Sequence, residues 1–215
     1  MKAIISDMDG LMIDSEIVTF DGYRVALEKR GYKSSKEFYK TTLGTTAKLT
    51  EELYKKYGDD IPHDEILKEV HLYMENLFET QGIPLKKGLI ELLKYLKENH
   101  FKTIVATSSY KDRVDKIFDK ANLHQYFDDY ICGNEVKNGK PDPEIFLTAC
   151  QKLGVEPHEA IVLEDSEAGI QAAYSADIPV ICVPDMKYPS NRYADMTLKI
   201  VESLEDVLEY IESNR

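Results

Sequence analysis

From about residue 84 onward, short β-branched runs alternate with stretches of helical period, and that alternation leaves few folds open. Lys102 to Ala106, Tyr130 to Cys132, Ala160 to Leu163 and Val180 to Val183 read as strands, and Lys2 to Ser6 adds one at the front of the chain. Between them apolar residues recur every three to four positions. They fall at Leu89, Leu92, Leu93 and Leu96, then at Val114, Ile117, Phe118 and Ala121. Ile145, Phe146, Ala149, Cys150 and Leu153 follow ahead of Gly154, a natural C-terminal stop, and Leu204, Val207, Leu208 and Ile211 close the series. Strands joined through helices pair in parallel, because each crossover returns the chain to the same end of the sheet. The expected fold is α/β, a doubly wound parallel sheet with helices on both faces.

One interval breaks this rhythm. Roughly ninety residues lie between Asp7 and Lys102, where a crossover needs only about a dozen. Most of the interval is helical in pattern. Helices are expected around Ser15 to Arg30 and Thr46 to Tyr57, the latter closed by Gly58, and Ser34 with Glu37 has capping-box spacing. Ile66, Val70, Met74, Leu77 and Phe78 make one face of a further helix. The expected division is an α/β core of residues 1–14 and 83–215 with an all-helical domain, residues 15–82, inserted after the first strand. Gly82, Pro84 and Gly88 mark the return.

Charge narrows the choice of partner. Lys plus Arg number 27 against 39 Asp plus Glu, a net charge of −12, the wrong sign for binding nucleic acid through released counterions. An anionic ligand would need a local cation or a metal. Cys132, Cys150 and Cys182 are odd in number and far apart, a pattern of buried reduced thiols rather than a disulfide frame or a zinc site. The first residues read as a strand rather than a charged-then-apolar leader, and no apolar run reaches bilayer length. A cytoplasmic protein without membrane contact is expected, as a monomer or alternatively a homodimer.

The chemistry sits where the strands end. In an open parallel sheet, ligands bind beyond the carboxyl ends of the strands. Asp7-Met8-Asp9-Gly10 follows the first strand, Thr107-Ser108 the second and Glu164-Asp165-Ser166 the fourth, so one sheet edge collects all three. Taken singly, each has a plain structural reading: Asp7 as a helix cap, Glu164-Asp165-Ser166 as another, Thr107-Ser108 as turn chemistry. Convergence is what favours function. Two carboxylates spaced i and i+2 can divide the work, one attacking or binding metal while the other moves protons. Lys140, inside Gly139-Lys140-Pro141-Asp142-Pro143, is not a P-loop lysine: five residues separate Gly133 from Gly139, and Pro141 follows it. It is a cation on a stiff turn ahead of a helix.

The order DxDG, strand-end Thr, GKPDP and EDS resembles the haloacid-dehalogenase superfamily. Asp14-Ser15-Glu16 and the place of the helical insert resemble its β-phosphoglucomutase-like branch. The resemblance implies a Rossmann-like core with a helical cap, and gives each residue a role. Asp7 is the nucleophile that forms an aspartyl-phosphate, and Asp9 is general acid and then base. Thr107 and Lys140 hold the phosphoryl oxygens. Asp7, Asp9 through its carbonyl, Glu164 and Asp165 form a Mg²⁺ site. Ser15, Thr19, Gly44, Thr45 and Ser108 are expected to face the substrate. Dehalogenation needs neither metal nor second acid, so Asp9 favours phosphoryl transfer. Genuine mutases of this branch carry a His where this chain has Thr19, and a Lys-Gly-x-x-Arg cap loop where it reads Leu43-Gly44-Thr45-Thr46-Ala47; Lys48 stands one place from the missing Arg. The resemblance therefore implies a Mg²⁺-dependent phosphatase acting on a small phosphorylated metabolite such as a sugar phosphate. A β-phosphoglucomutase is the alternative, and a silent phosphometabolite-binding regulator the third reading.

Overall fold

The computed structural model describes residues 1–43, 47–55 and 61–214, apart from the side chains of residues 47–49 and 53. It divides into two compact units, one of Met1–Asp14 with Ile83–Arg215 and one of Ser15–Gly82. In chain order the elements are β1 (Ala3–Ser6), α1 (Ser15–Glu28), α2 (Lys36–Thr42), α3 (Ala47–Lys55), α4 (His63–Gln81), α5 (Leu89–Glu98), β2 (Lys102–Ala106) and α6 (Lys111–Ala121). Then come β3 (Asp129–Ile131), α7 (Glu144–Leu153), β4 (Ala160–Glu164), α8 (Glu167–Ser175), β5 (Val180–Cys182), α9 (Asn191–Ala194), β6 (Lys199–Ile200) and α10 (Leu204–Ser213).

The first unit is built on a six-stranded sheet in the order β3-β2-β1-β4-β5-β6, every neighbouring pair parallel. This is the α/β architecture that the alternation predicts, with one strand more than the five legible in sequence. β6 is two residues long and only partly covered, too short to show either an apolar run or an alternation. β1 lies at the centre, hydrogen-bonded to β2 on one side and β4 on the other.

β1, β4 and β5 are buried on both faces of the sheet, which is why they read as apolar runs rather than alternating. Successive residues of β1 go to opposite sides. Ile4 joins Leu92, Leu96, Val114, Phe118, Val207 and Ile211, from α5, α6 and α10, whereas Ala3 and Ile5 join Phe146, Ala149, Ile170 and Ala173, from α7 and α8. A central strand gripped on both faces fixes its own end firmly, and Asp7 inherits that rigidity: its N–H donates to the Leu163 carbonyl at 3.0 Å.

The second unit is helical. α1 packs along α4, where Ile66 and Val70 are fully buried, and Gly22 permits the approach: a Cβ there would lie 3.1 Å from Val70 Cγ1. Tyr23 stacks on Tyr54 with ring centroids 5.0 Å apart, and Tyr39 packs against Phe20 and Tyr23 while donating its hydroxyl to Glu16 Oε2 at 2.7 Å. The cap of α2 differs from the expected one. Ser35, not Ser34, is the N-cap, accepting from Phe38 N at 3.1 Å. The Ser34–Glu37 spacing is thus off by one residue; Ser35 has the extended backbone a cap needs. Gly44, Thr45, Thr46 and Gly58 lie outside the described residues.

Candidate active site

Asp7, the first residue past β1, is 6% exposed and meets Lys140. The ammonium lies on three acceptors: Asp7 Oδ1 at 2.5 Å, Glu164 Oε1 at 2.6 Å and the Ala106 carbonyl at 3.0 Å. Those acceptors come from the ends of β1, β4 and β2, so one buried cation ties together three adjacent strands. The ring of Phe146 lies beneath it, 4.9 Å away. Burial would by itself discharge such a lysine, but the charges of Asp7 and Glu164 more than offset that and keep it protonated.

Burial acts in the opposite sense on the carboxylates. It pushes the Asp7 carboxyl up to about 7, against the pull of Lys140, with Glu164 and Asp9 adding to the rise. Asp165 is raised well above the usual carboxylate range by burial, by Glu164 and by Asp7. Among the described residues no hydrogen bond reaches its side chain, which packs over the tight turn at Gly10. Gly10 has φ +84°, and a Cβ there would come within 2.3 Å of Asp165 Oδ2. Gly10 is therefore required twice, for a left-handed turn and for room.

Glu164 is fully buried and fully engaged. Its Oε1 accepts from Lys140, while its Oε2 accepts from Asp165 N and Ser166 N at 3.0 Å each and from Ser166 Oγ at 2.9 Å. Gly169, on the first turns of α8, makes the space: a Cβ there would fall 1.8 Å from Glu164 Oε1. Expected among the metal ligands, Glu164 meets four protein donors, three on Oε2 and Lys140 on Oε1. It holds Lys140 and the β4–α8 turn in place.

The site can still take a small hard cation. Among the described residues no three His, Cys, Asp or Glu side chains surround one point. Magnesium does not need that, since it keeps several waters and uses one or two carboxylates. Asp7 and Asp165 could serve as that pair, the charge of Asp7 adding to the rise at Asp165, and the family resemblance adds the Asp9 carbonyl as a third oxygen. An acidic cluster with one carboxylate lacking a protein donor suits such an ion.

Asp9 has a different setting. Its side chain is 27% exposed, and its Oδ2 accepts from Arg113 Nη1 at 2.6 Å and from Ser109 Oγ at 2.7 Å. Neither partner was anticipated from the sequence. Ser109 closes the Thr107-Ser108-Ser109 run, and Arg113 stands one helical turn further on, in α6. Thr107 is 1% exposed; its N–H donates to the Ile131 carbonyl at 3.0 Å, and its Oγ1 accepts from Ser109 N at 3.1 Å. Ser108 is exposed. Beside the same edge, Lys86 joins Asp14 Oδ1 at 2.8 Å to Asp185 Oδ1 at 2.5 Å.

Two of the residues expected to face the substrate, Ser15 and Thr19, lie on α1. Thr19 donates its hydroxyl to the Ser15 carbonyl at 2.8 Å and toward Met74 Sδ at 3.3 Å. That is back-bonding within its own helix, which leaves it no donor for a ligand. Ser15 is buried, and its Oγ has no hydrogen-bond partner among the described residues.

Known proteins share this frame. A phosphorylated carbohydrates phosphatase from Thermotoga maritima is 33% identical over 183 residues, 83% of this chain and 82% of that one. Validoxylamine A 7'-phosphate phosphatase from Streptomyces hygroscopicus subsp. limoneus is 31% identical over 179 residues, 82% of this chain and 83% of that one. Among solved structures, a candidate β-phosphoglucomutase from Thermotoga maritima superposes with a TM-score of 0.83 at 28% identity, covering 99% of each chain. A family model matches residues 4–183, from β1 to just past β5 and so across every strand end that brings a carboxylate to the site; the chain belongs to the haloacid dehalogenase-like hydrolases.

Proposed function

We propose that the protein is a Mg²⁺-dependent phosphatase of small phosphomonoesters, sugar phosphates among them, working through an aspartyl-phosphate on Asp7. The observation that carries this reading is the pairing of a buried, lysine-bonded Asp7 with a partly exposed Asp9 two residues on. The phosphatase names of the relatives support it.

In this reading Asp7 attacks phosphorus as the ester oxygen departs, and Asp9 delivers a proton to that oxygen. Asp9 then takes a proton from the water that attacks the aspartyl-phosphate, so that inorganic phosphate leaves and Asp7 is restored. The charge of Lys140, held beside Asp7, offsets the negative charge spread over the equatorial oxygens in the transition state, and Thr107 is assigned a hydrogen bond to one of them. Glu164 keeps Lys140 in place and charged. Asp7, Asp165 and the Asp9 carbonyl would hold a magnesium ion, which would supply the positive charge that lets a phosphate dianion approach carboxylates. The helical unit, Ser15–Gly82, is assigned the choice of substrate.

A β-phosphoglucomutase is the second reading, favoured by the likeness to the Thermotoga structure. Leu43 and Ala47 stand against it, since they occupy the places where a mutase has the Lys and Arg that hold a second phosphate. The test is a panel of phosphomonoesters with Mg²⁺ and with EDTA, read by phosphate release, beside a coupled assay for glucose 6-phosphate formed from β-glucose 1-phosphate. Phosphate release that EDTA stops is expected. Isomerisation with little release would give the assignment to the mutase.

A further inference from the structure

We propose that Arg113 is a positioning residue for Asp9, closing with Ser109 a hydrogen-bonded triangle that aims the Asp9 carboxylate at the leaving-group oxygen. The inference rests on the phosphatase reading above. Its geometry stands alone.

The triangle has three edges: Arg113 Nη1 to Asp9 Oδ2 at 2.6 Å, Arg113 Nη1 to Ser109 Oγ at 2.7 Å, and Ser109 Oγ to Asp9 Oδ2 at 2.7 Å. Each vertex comes from a firm element. Arg113 is in the first turn of α6, Ser109 follows β2, and Asp9 is carried by the turn in which Gly10 N donates to the Ile13 carbonyl at 3.0 Å. With the backbone at Asp9 fixed, its side-chain torsions are the remaining freedom. The two donors on Oδ2 hold this 27% exposed carboxylate in one rotamer. Proton delivery requires the acid within hydrogen-bond reach of the departing oxygen, so an unaimed acid is a slow one.

A surface ion pair does not account equally well for the same contacts. Arg113 is 34% exposed, so solvent screens much of the attraction and the pair adds little to stability. What the arrangement supplies is direction. Two donors converge on one carboxylate oxygen, and one nitrogen serves two vertices.

Leaving-group dependence tests the idea, because only a poor leaving group needs the proton. Wild type, Arg113→Ala, Arg113→Lys, Ser109→Ala, Asp9→Asn and the Asp9→Asn/Arg113→Ala double variant are assayed on p-nitrophenyl phosphate and on phenyl phosphate, which share a shape but not a leaving group. Arg113→Ala should lose about tenfold or more in kcat on phenyl phosphate and less than about threefold on p-nitrophenyl phosphate, with KM nearly unchanged. Arg113→Lys should recover part of the phenyl phosphate rate. In the Asp9→Asn background the Arg113 change should cost nothing further. Ser109→Ala removes another vertex and should show the same split, so the inference does not hang on one variant folding. Equal losses on both esters, or additive losses in the double variant, would overturn the positioning role while a selective Asp9→Asn left the phosphatase reading intact. An Asp9→Asn variant that fails to separate the two esters would overturn the general-acid role of Asp9 and the positioning role with it, while EDTA-sensitive phosphate release would still stand for the phosphatase reading.

Discussion

Asp7 and Asp9 are separated by one residue, yet they sit in different media. Asp7 is in the dry half of the site, against a lysine whose side chain is itself 5% exposed and a glutamate that is fully buried. Asp9 is in the wet half, held by an arginine and a serine that are both partly exposed. The same side chain therefore has two chemistries open to it. A desolvated carboxylate beside a fixed cation is a directed nucleophile and metal ligand, while a hydrated one on a hydrogen-bonded latch can exchange protons with solvent. Strand geometry produces the difference: β1 ends in the centre of the sheet, so Asp7 is walled by both neighbouring strands, and the chain then turns at Gly10 toward solvent.

The most severe way to break the comparison is to neutralise the dry carboxylate. Asp7→Asn should lower turnover on the order of 10⁴-fold or more while the chain still folds. The same variant should be more heat-stable than wild type at pH 8 in EDTA. With its pKa raised from 3.8 to about 7, Asp7 keeps a proton in the folded state that the unfolded chain releases. Its contribution is therefore full below pH 3.8 and is lost as pH rises toward 7. The gap between the variant and wild type should accordingly narrow as the pH falls from 8 to 5, and a gap independent of pH would show that Asp7 is not desolvated.

Removing the cation comes next. Lys140→Met leaves Asp7 and Glu164 facing each other in a buried site. It should cost about 3–5 kcal/mol in urea unfolding and reduce kcat by about 10²–10³-fold. A loss of activity without a loss of stability would mean that water reaches this half after all. Gly10→Ala probes the seam between the halves. Its Cβ would collide with Asp165 at a backbone angle that L residues avoid. About 1–3 kcal/mol of destabilisation is expected, with a marked fall in Mg²⁺ affinity by titration calorimetry. The smallest effect concerns the thiols. Burial pushes Cys182 up to about 12, helped by Asp165 and Glu164, and raises Cys132 to about 12 and Cys150 to about 11. At pH 8 the native protein should leave a colorimetric disulfide reagent almost untouched, whereas guanidinium-unfolded protein should react at all three cysteines.

The dry half was largely legible in the amino-acid order. Asp7, Glu164 and Asp165 follow strands and Lys140 sits on a stiff turn, and although each alone has a plain structural reading, their convergence on one sheet edge does not. The four donors around Glu164 were not legible, because sequence shows the carboxylate but not Lys140, Ser166 and the backbone N–H groups that reach it. The wet half was not legible. Arg113 sits among Lys111, Asp112, Asp115 and Lys116 on a helix that reads as an ordinary solvated face, and no spacing rule links it to Asp9, 104 positions earlier. β6 escaped notice for want of length, and the cap of α2 fell one residue from its expected place because two adjacent serines satisfy the same pattern.

By itself, then, the sequence determined the alternation of strands and helices, the interruption after β1 and the line of carboxylates along one sheet edge. These follow from local periodicity and from the rule that parallel strands end on the same side. Only the tertiary structure decided which carboxylate is dry, that Lys140 binds two of them at once and that Arg113 and Ser109 hold Asp9. Burial, charge pairing and aim are properties of residues brought together from distant parts of the chain. Their free energies depend on what surrounds a group in space, not on what precedes it in sequence.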